Sequence, residues 1–178
     1  LYVIASGTIG RFSLSAGLRG EYTYTSGRGE SFEQEYFSLF PNAHLSWRMD
    51  KKGKHSLVGS YSRTINRPNF WDLTPARRAI SDYSYQTGNP ELKPAFNNQY
   101  SLTLVMWHRY SLTAGVTNQT DGISQVVITD PRDPDMLILT RHNMPDYNWY
   151  YVTLSAPAQV TKWWQWKLRH WKKCVSSK

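Results

Sequence analysis

Cysteine is nearly absent: the 178-residue chain has one, Cys174. A single thiol excludes an internal disulfide framework and a Cys-x-x-Cys metal site. Long hydrophobic runs are missing too. No stretch approaches the roughly 18 consecutive apolar residues of a membrane helix, and mean hydropathy is −0.58, so helical spans are excluded. No Met, basic n-region or apolar h-region stands in the opening LYVIASGTIGRF. The expectation is a chain without a signal peptide, either a mature product or a piece of something longer. Acidic residues are outnumbered, 13 against 21 Lys and Arg. That imbalance is local, because from Lys162 onward there are six basic side chains and no acid. A nucleic-acid footprint forms a stripe on a folded face. An excess confined to one terminal stretch argues against nucleic acid as a partner.

Aromatic residues are plentiful, with 8 Trp and 12 Tyr, which is not a disordered composition. They sit in a pattern of period two. Phe12, Leu14, Ala16, Leu18, Tyr22 and Tyr24 fall on one face, opposite Ser13, Ser15, Arg19, Glu21 and Thr23. Leu39, Ala43, Leu45, Trp47 and Met49 alternate with Asn42, His44, Ser46 and Arg48, and similar alternation follows from Tyr100, Tyr110 and Tyr150. The stretch 56–66 is weaker, since Val58 and Arg63 break the rule. No window keeps a 3.6-residue period, so the fold class is all-β. Strands are expected near 1–8, 12–25, 37–49, 55–65, 97–107, 110–128, 137–156 and 163–171, about eight in all.

Alternation alone fits a soluble sandwich and a membrane barrel equally. The connections discriminate. Short ones near residues 8–11, 50–54, 108–109 and 157–162 alternate with long ones near 26–36, 66–96 and 129–136. Short turns on one rim and long loops on the other are the plan of an outer-membrane barrel. Phe12, Trp47, Trp107, Tyr110, Trp163 and Trp164 stand beside the short turns, where an interfacial aromatic girdle belongs. On this reading Leu14, Leu45, Leu102 and Leu112 face lipid. The Ser- and Thr-rich opposite face suits a wide, wet lumen, as in barrels of about 22 strands, better than the side-chain-filled interior of an eight-stranded one. With short turns periplasmic, the first strand runs down from outside and the eighth ends outside, a phase expected of an internal slice of a larger barrel.

Several segments carry a family likeness. Phe40-Pro41-Asn42, Tyr61-Ser62-Arg63 leading to Asn66-Arg67-Pro68, Asp72-Leu73 with Pro75, and Gly88-Asn89-Pro90-Glu91-Leu92-Lys93-Pro94 follow one another in order. Asp121-Gly122-Ile123-Ser124-Gln125 and Leu154-Ser155-Ala156-Pro157 come downstream. Together they resemble the barrel of TonB-dependent outer-membrane receptors, closest to the outer-membrane β-barrel family common in Bacteroidota. The likeness covers roughly residues 12–164. It implies residence in the outer membrane of a Gram-negative bacterium, contact with outer-membrane lipid, and import of an iron chelate, vitamin, glycan or peptide. It also implies partners: a plug domain and TonB, neither encoded in this stretch, and a surface lipoprotein. Residues 1–166 are the expected partial barrel. The basic tail, 167–178, departs from the family pattern, as a truncated or altered end would.

The chemistry-bearing residues form no catalytic constellation. His44, His55, His108, His142 and His170 are scattered without HxH or HExxH spacing, so neither metal nor cofactor is expected. Asp130, Asp133 and Asp135 lie in DPRDPD, where the prolines and Arg132 favour a plain solvated loop over a cation site. No GxSxG elbow occurs, and an enzyme is not expected. Arg19 and Glu21 share the lumen face, placed to pair with each other or with a plug. The 66–96 connection, too long for a mere connector, offers Trp71, Arg77, Arg78, Tyr83 and Tyr85 as stacking faces and anion-binding forks for a ligand. Its Gly88–Pro94 stretch reads instead as a rigid turn. Two rivals stay open at this point: a complete eight-stranded barrel with a structural or adhesive role, and a soluble β-sandwich that binds carbohydrate.

Overall fold

The structure, a computed structural model, describes residues 1–27, 33–161 and 164–177, with side chains described through residue 156. Twelve strands occur among these: β1 (Tyr2–Ile9), β2 (Phe12–Ser26), β3 (Glu33–Arg48), β4 (His55–Asn66), β5 (Arg78–Ser81), β6 (Ser84–Gln86), β7 (Ala95–Met106), β8 (Tyr110–Thr120), β9 (Gly122–Asp130), β10 (Asp133–Met144), β11 (Tyr147–Thr161) and β12 (Trp164–Ser177). One helical turn, α1 (Phe70–Leu73), lies between β4 and β5. The strands form two sheets. Eight of them make an antiparallel meander in the order β1-β2-β3-β4-β7-β8-β11-β12, and the rest a smaller sheet in the order β5-β6-β10-β9.

In the large sheet the expected alternation becomes register. Gly7, Leu14, Leu45, Gly59, Leu102, Ala114 and Val152 pair in one continuous row. The next row on the other face reads Thr8, Ser13, Ser46, Val58, Thr103, Thr113 and Thr153. The apolar row is the uncovered one: Leu14 is 53% and Leu102 51% exposed, while Ser13, Ser46 and Thr103 are half-buried. A soluble sandwich buries its apolar face; this sheet turns that face outward, as a barrel wall in lipid must. The meander is also open, since β1 and β12 each pair with one neighbour among the described residues.

Short turns join β1 to β2, β3 to β4 and β7 to β8. Gly10 (φ +59°) and Gly53 (φ +66°) supply the left-handed backbone at the first two. At the third, Trp107 and His108 adopt it without a glycine, and the Arg109 N–H closes the turn on the Met106 carbonyl at 3.0 Å.

Four expectations need correction. The strand placed at 110–128 is two strands: Asp121 takes φ +52°, ending β8 and redirecting β9 into the smaller sheet. The strand placed at 137–156 likewise breaks between β10 and β11, and the long connection placed at 129–136 is only the tip of the β9–β10 hairpin. The 66–96 connection, read as lacking strand structure, holds α1, β5 and β6. At the other end, the backbone of β12 continues as strand through residues 167–177, paired with β11 from Tyr147↔Ser177 onward.

Candidate functional site

The family-like motifs Asp72-Leu73 and Gly88–Pro94 pack beside the smaller sheet, and Gly122–Gln125 opens its β9 strand. Asn69 caps α1, its Oδ1 accepting the Asp72 N–H at 3.0 Å while Asp72 Oδ2 accepts the Asn69 N–H at 3.2 Å, a reciprocal capping box. Asp72 Oδ1 also meets Arg141 Nε at 2.6 Å, tying α1 to β10. The Gly88 and Asn89 N–H groups donate to the Thr74 and Asp72 carbonyls at 2.9 and 2.7 Å. A Cβ on Gly88 would lie 2.5 Å from that Thr74 oxygen, so only glycine permits the approach. Asn89 donates to the Arg141 carbonyl at 3.1 Å, and Asn143 exchanges two bonds of 2.9 Å with the Lys93 backbone. Leu73 and Leu92, 1% and 0% exposed, pack with Ile123 at the centre. The Gly88–Pro94 stretch is therefore a structural turn, seated on α1 and β10.

This loop assembly is anchored to the polar face of the wall. Arg67, just beyond β4, pairs with Glu21 at 2.5 Å and donates to Thr23 Oγ1 at 3.3 Å. Glu21 Oε1 simultaneously holds Arg19 Nε at 2.8 Å, and the Arg19 guanidinium rests 4.9 Å from the Phe40 ring centroid. Gln34 on β3 donates to the Leu92 and Pro90 carbonyls at 2.7 and 3.2 Å. Arg19 and Glu21 thus pair as their shared face suggested, with Arg67 as a third member that alternation did not reveal. The β3–β4 ladder stops at Asn42↔Ser62, one pair before Pro41, which has no N–H to extend it. A cavity of about 440 Å³ opens at this fork, bordered by Arg19, Phe40, Asn42, Ser62 and Arg63.

The residues singled out for ligand contact divide into two groups. Trp71, Arg77 and Arg78 line one cleft of about 400 Å³ with Gln86, Thr87 and Gly88, and Trp71 is 76% exposed. Tyr85 lies beneath, buried, with the Arg77 guanidinium 4.8 Å above its ring. Tyr83 is exposed at the β5–β6 turn and does not border the cleft. The Tyr85 hydroxyl donates to Asp130 Oδ2 at 2.6 Å. That bond holds the Asp130 carboxyl below the usual carboxylate range, helped by the Arg132 N–H, and pushes the Tyr85 phenol up. Asp130 is therefore buried and committed, not part of a solvated DPRDPD loop. Its signal was the spacing of Asp130 from Arg132, an Asx turn.

At the short-turn rim Phe12 stacks on Trp47 with centroids 5.8 Å apart, and Trp107 meets Tyr110 edge-on at 6.1 Å. Trp163 and the Trp164 side chain lie outside the described residues. No group of three His, Cys, Asp or Glu able to hold a metal occurs among the described residues.

Comparison with known proteins agrees with this geometry. Residues 1–170 match the model of the outer membrane protein beta-barrel family. The siderophore receptor PirA from Pseudomonas aeruginosa superposes with a TM-score of 0.73 at 14% identity, over 99% of this chain and 34% of that one. A mutant of the ferric enterobactin receptor PfeA from the same organism, in complex with enterobactin, superposes with a TM-score of 0.65 at 15% identity, over 94% of this chain and 26% of that one. The chain thus spans about a third or less of the length of these structures. No curated protein matches it in sequence.

Proposed function

Since the chain belongs to the outer membrane protein beta-barrel family, we propose that it forms about eight strands of the wall, with one folded extracellular loop, in a TonB-dependent importer. Its place is the outer membrane of a Gram-negative bacterium, with the Leu14–Leu45–Leu102–Leu112 face against lipid. The observation that carries the proposal is the loop assembly seated on the polar face by Glu21, Arg67 and Gln34. Loops that lean inward over a wide lumen present side chains to what passes through it.

In the proposed mechanism the Trp71, Arg77 and Arg78 cleft gives a ligand one stacking surface and two guanidinium forks. Tyr85 positions Arg77 from below, and Tyr83 offers an exposed ring at the β5–β6 turn, outside the cleft. Such a set suits an anionic, partly aromatic cargo, and an iron chelate of the kind that PfeA is seen with falls in that class. A plug domain would fill the lumen, TonB would supply the energy, and a surface lipoprotein is a further partner. Phe12, Trp47, Trp107, Tyr110, Trp163 and Trp164 would sit at the periplasmic headgroup level.

The test uses the protein in outer membranes and labelled ferric enterobactin. Trp71→Ala combined with Arg77→Gln should weaken binding by about tenfold or more, the scale of losing an interface anchor. Unchanged binding, or uptake that survives collapse of the inner-membrane proton gradient, contradicts the proposal.

A further inference from the structure

Beyond their last pair, Asn42↔Ser62, strands β3 and β4 part company. From there toward the long loops β3 is paired with β2, and β4 with β7. The cavity of about 440 Å³ at this fork lies on the polar face. Tyr2, Arg19 and Phe40, which pair in one row across β1, β2 and β3, border it together. Asn42 and Ser62 close it on the short-turn side. Arg63 has the opposite register parity, yet it borders the same space because no β3 residue is paired beside it.

Arg19 is held ready for an anion. The Phe40 ring, 2% exposed, supports one face of its guanidinium, with the centroid 4.9 Å from Cζ. Its Nε is committed to Glu21 Oε1 at 2.8 Å. One face and one edge are thereby occupied, which fixes the plane of the group and leaves the edge of its terminal nitrogens for a ligand. The side chain is still 48% exposed. Glu21 has little left to give, because its other oxygen holds Arg67. The guanidiniums of Arg19, Arg63 and Arg67 therefore stand against one carboxylate. Arg63 enters none of the ion pairs among the described residues, and no carboxylate borders the cavity. A recess with this excess of positive charge concentrates anions.

We infer that the fork is a second binding site, one that takes a small aromatic carboxylate from the polar face. The carboxylate accepts a bidentate pair of hydrogen bonds from the terminal nitrogens of Arg19. The Asn42 carboxamide and the Ser62 hydroxyl donate to the same oxygens, and Arg63 adds positive charge at the rim. Tyr2, opposite Arg19 in the row and 56% exposed, gives the ring of the ligand a stacking face. The volume is that of an ordinary small-molecule site. None of these residues borders the Trp71, Arg77 and Arg78 cleft, so the inference stands apart from the cargo proposed there.

The experiment titrates the protein, extracted from outer membranes in a neutral detergent, and follows the ligand by saturation-transfer NMR. The probes are benzoate, its neutral analogue benzamide, acetate and inorganic phosphate. Benzoate should bind about tenfold more tightly than benzamide, the scale of a charge-assisted bidentate contact, and more tightly than acetate, which has no ring. Arg19→Gln should bring benzoate down to the level of benzamide. Absence of benzoate binding overturns the inference, including the case in which another part of the protein fills the cavity. Equal binding of benzoate and benzamide overturns it too, as does unchanged benzoate affinity in Arg19→Gln. Displacement of benzoate by equimolar acetate or phosphate would mean a site that reads charge alone, and contradicts the aromatic contact. If benzoate is lost in Arg77→Gln instead, it occupies the other cleft and the inference fails. Where Arg19→Gln does not fold, Arg19→Lys keeps the charge beside Glu21 without the planar fork, and it must still lower benzoate toward benzamide. Full benzoate affinity in that variant is equally fatal.

Discussion

The eight-stranded wall and the four-stranded loop assembly follow opposite rules. In the wall, leucines at Leu14, Leu45, Leu102 and Leu112 are uncovered and serines and threonines are sheltered. In the loop assembly, Leu73, Leu92, Tyr85 and Ile138 are buried and the charged side chains lie outside or in pairs. One chain thus carries two opposite burial patterns. The wall satisfies its backbone by strand pairing and leaves its apolar face uncovered, the arrangement that a lipid solvent allows. The loop assembly buries a small apolar centre from water in the ordinary way, and it needs caps, an Asp72–Arg141 ion pair and an Asn143 bridge because so few residues are available to bury.

Substituting arginine on each side of the wall breaks this comparison most sharply. Leu102→Arg should cost about 2–4 kcal/mol in a barrel-folding equilibrium if the residue sits near the midplane, and Thr103→Arg much less. Equal costs on the two faces would remove the distinction between wall and loop. A smaller and more local effect is expected of Gly88→Ala. Its methyl meets the Thr74 carbonyl, so the loop assembly should lose about 1–3 kcal/mol. The readout is faster proteolysis within residues 66–96, with the heat-modifiable migration of the wall unchanged.

Smallest is the pH dependence, which belongs to the loop assembly alone. The Asp130 carboxyl titrates lower when folded than unfolded. Its contribution is therefore present above the ordinary carboxylate range and is lost as pH falls through the folded value. Tyr85 titrates higher when folded, so its contribution holds up to the ordinary phenol range and is lost as pH rises through the folded value. Amide exchange in β6 and β9 should quicken at both extremes, and Tyr85→Phe should remove the alkaline limb and shrink the acid one, which the Arg132 N–H still supports. A flat profile would detach the Tyr85–Asp130 bond from loop stability.

The wall was legible because period two survives in β2, β3, β7, β8 and β11, and register follows once the faces are assigned. Even its weak point was visible, since Val58 stands in a row of hydroxyls and Arg63 shares a register parity with the leucine row. The loop assembly was not legible. β6 pairs with β10 in parallel across more than fifty residues, and no local pattern encodes such a contact. The break at Asp121 had a local signal, the polar run Asn118–Asp121 and the Asp121-Gly122 turn pair, but the pairing of β9 with β10 that redirects the chain had none. Of the candidate site, Trp71, Arg77 and Arg78 share a cleft as their proximity in sequence allowed. Tyr85 is committed to Asp130, a partner 45 residues away, and distance in the chain concealed it. Arg67 belonged to a recognised motif, but its partner Glu21 lay on another strand.

The most direct measurement of which face meets lipid is fluorescence quenching by brominated acyl chains. A small environment-sensitive probe would be placed in turn at Leu14, Leu45, Leu102 and Leu112, at Ser13, Ser46, Thr103 and Thr113, and at Val127 in the loop assembly, with Cys174 replaced. The expected result is strong quenching at the four leucine positions and little at their neighbours or at Val127, a period of two along each strand. Quenching that does not alternate, or a chain that stays monomeric and β-rich in plain buffer with all nine positions unquenched, would contradict the lipid-facing wall.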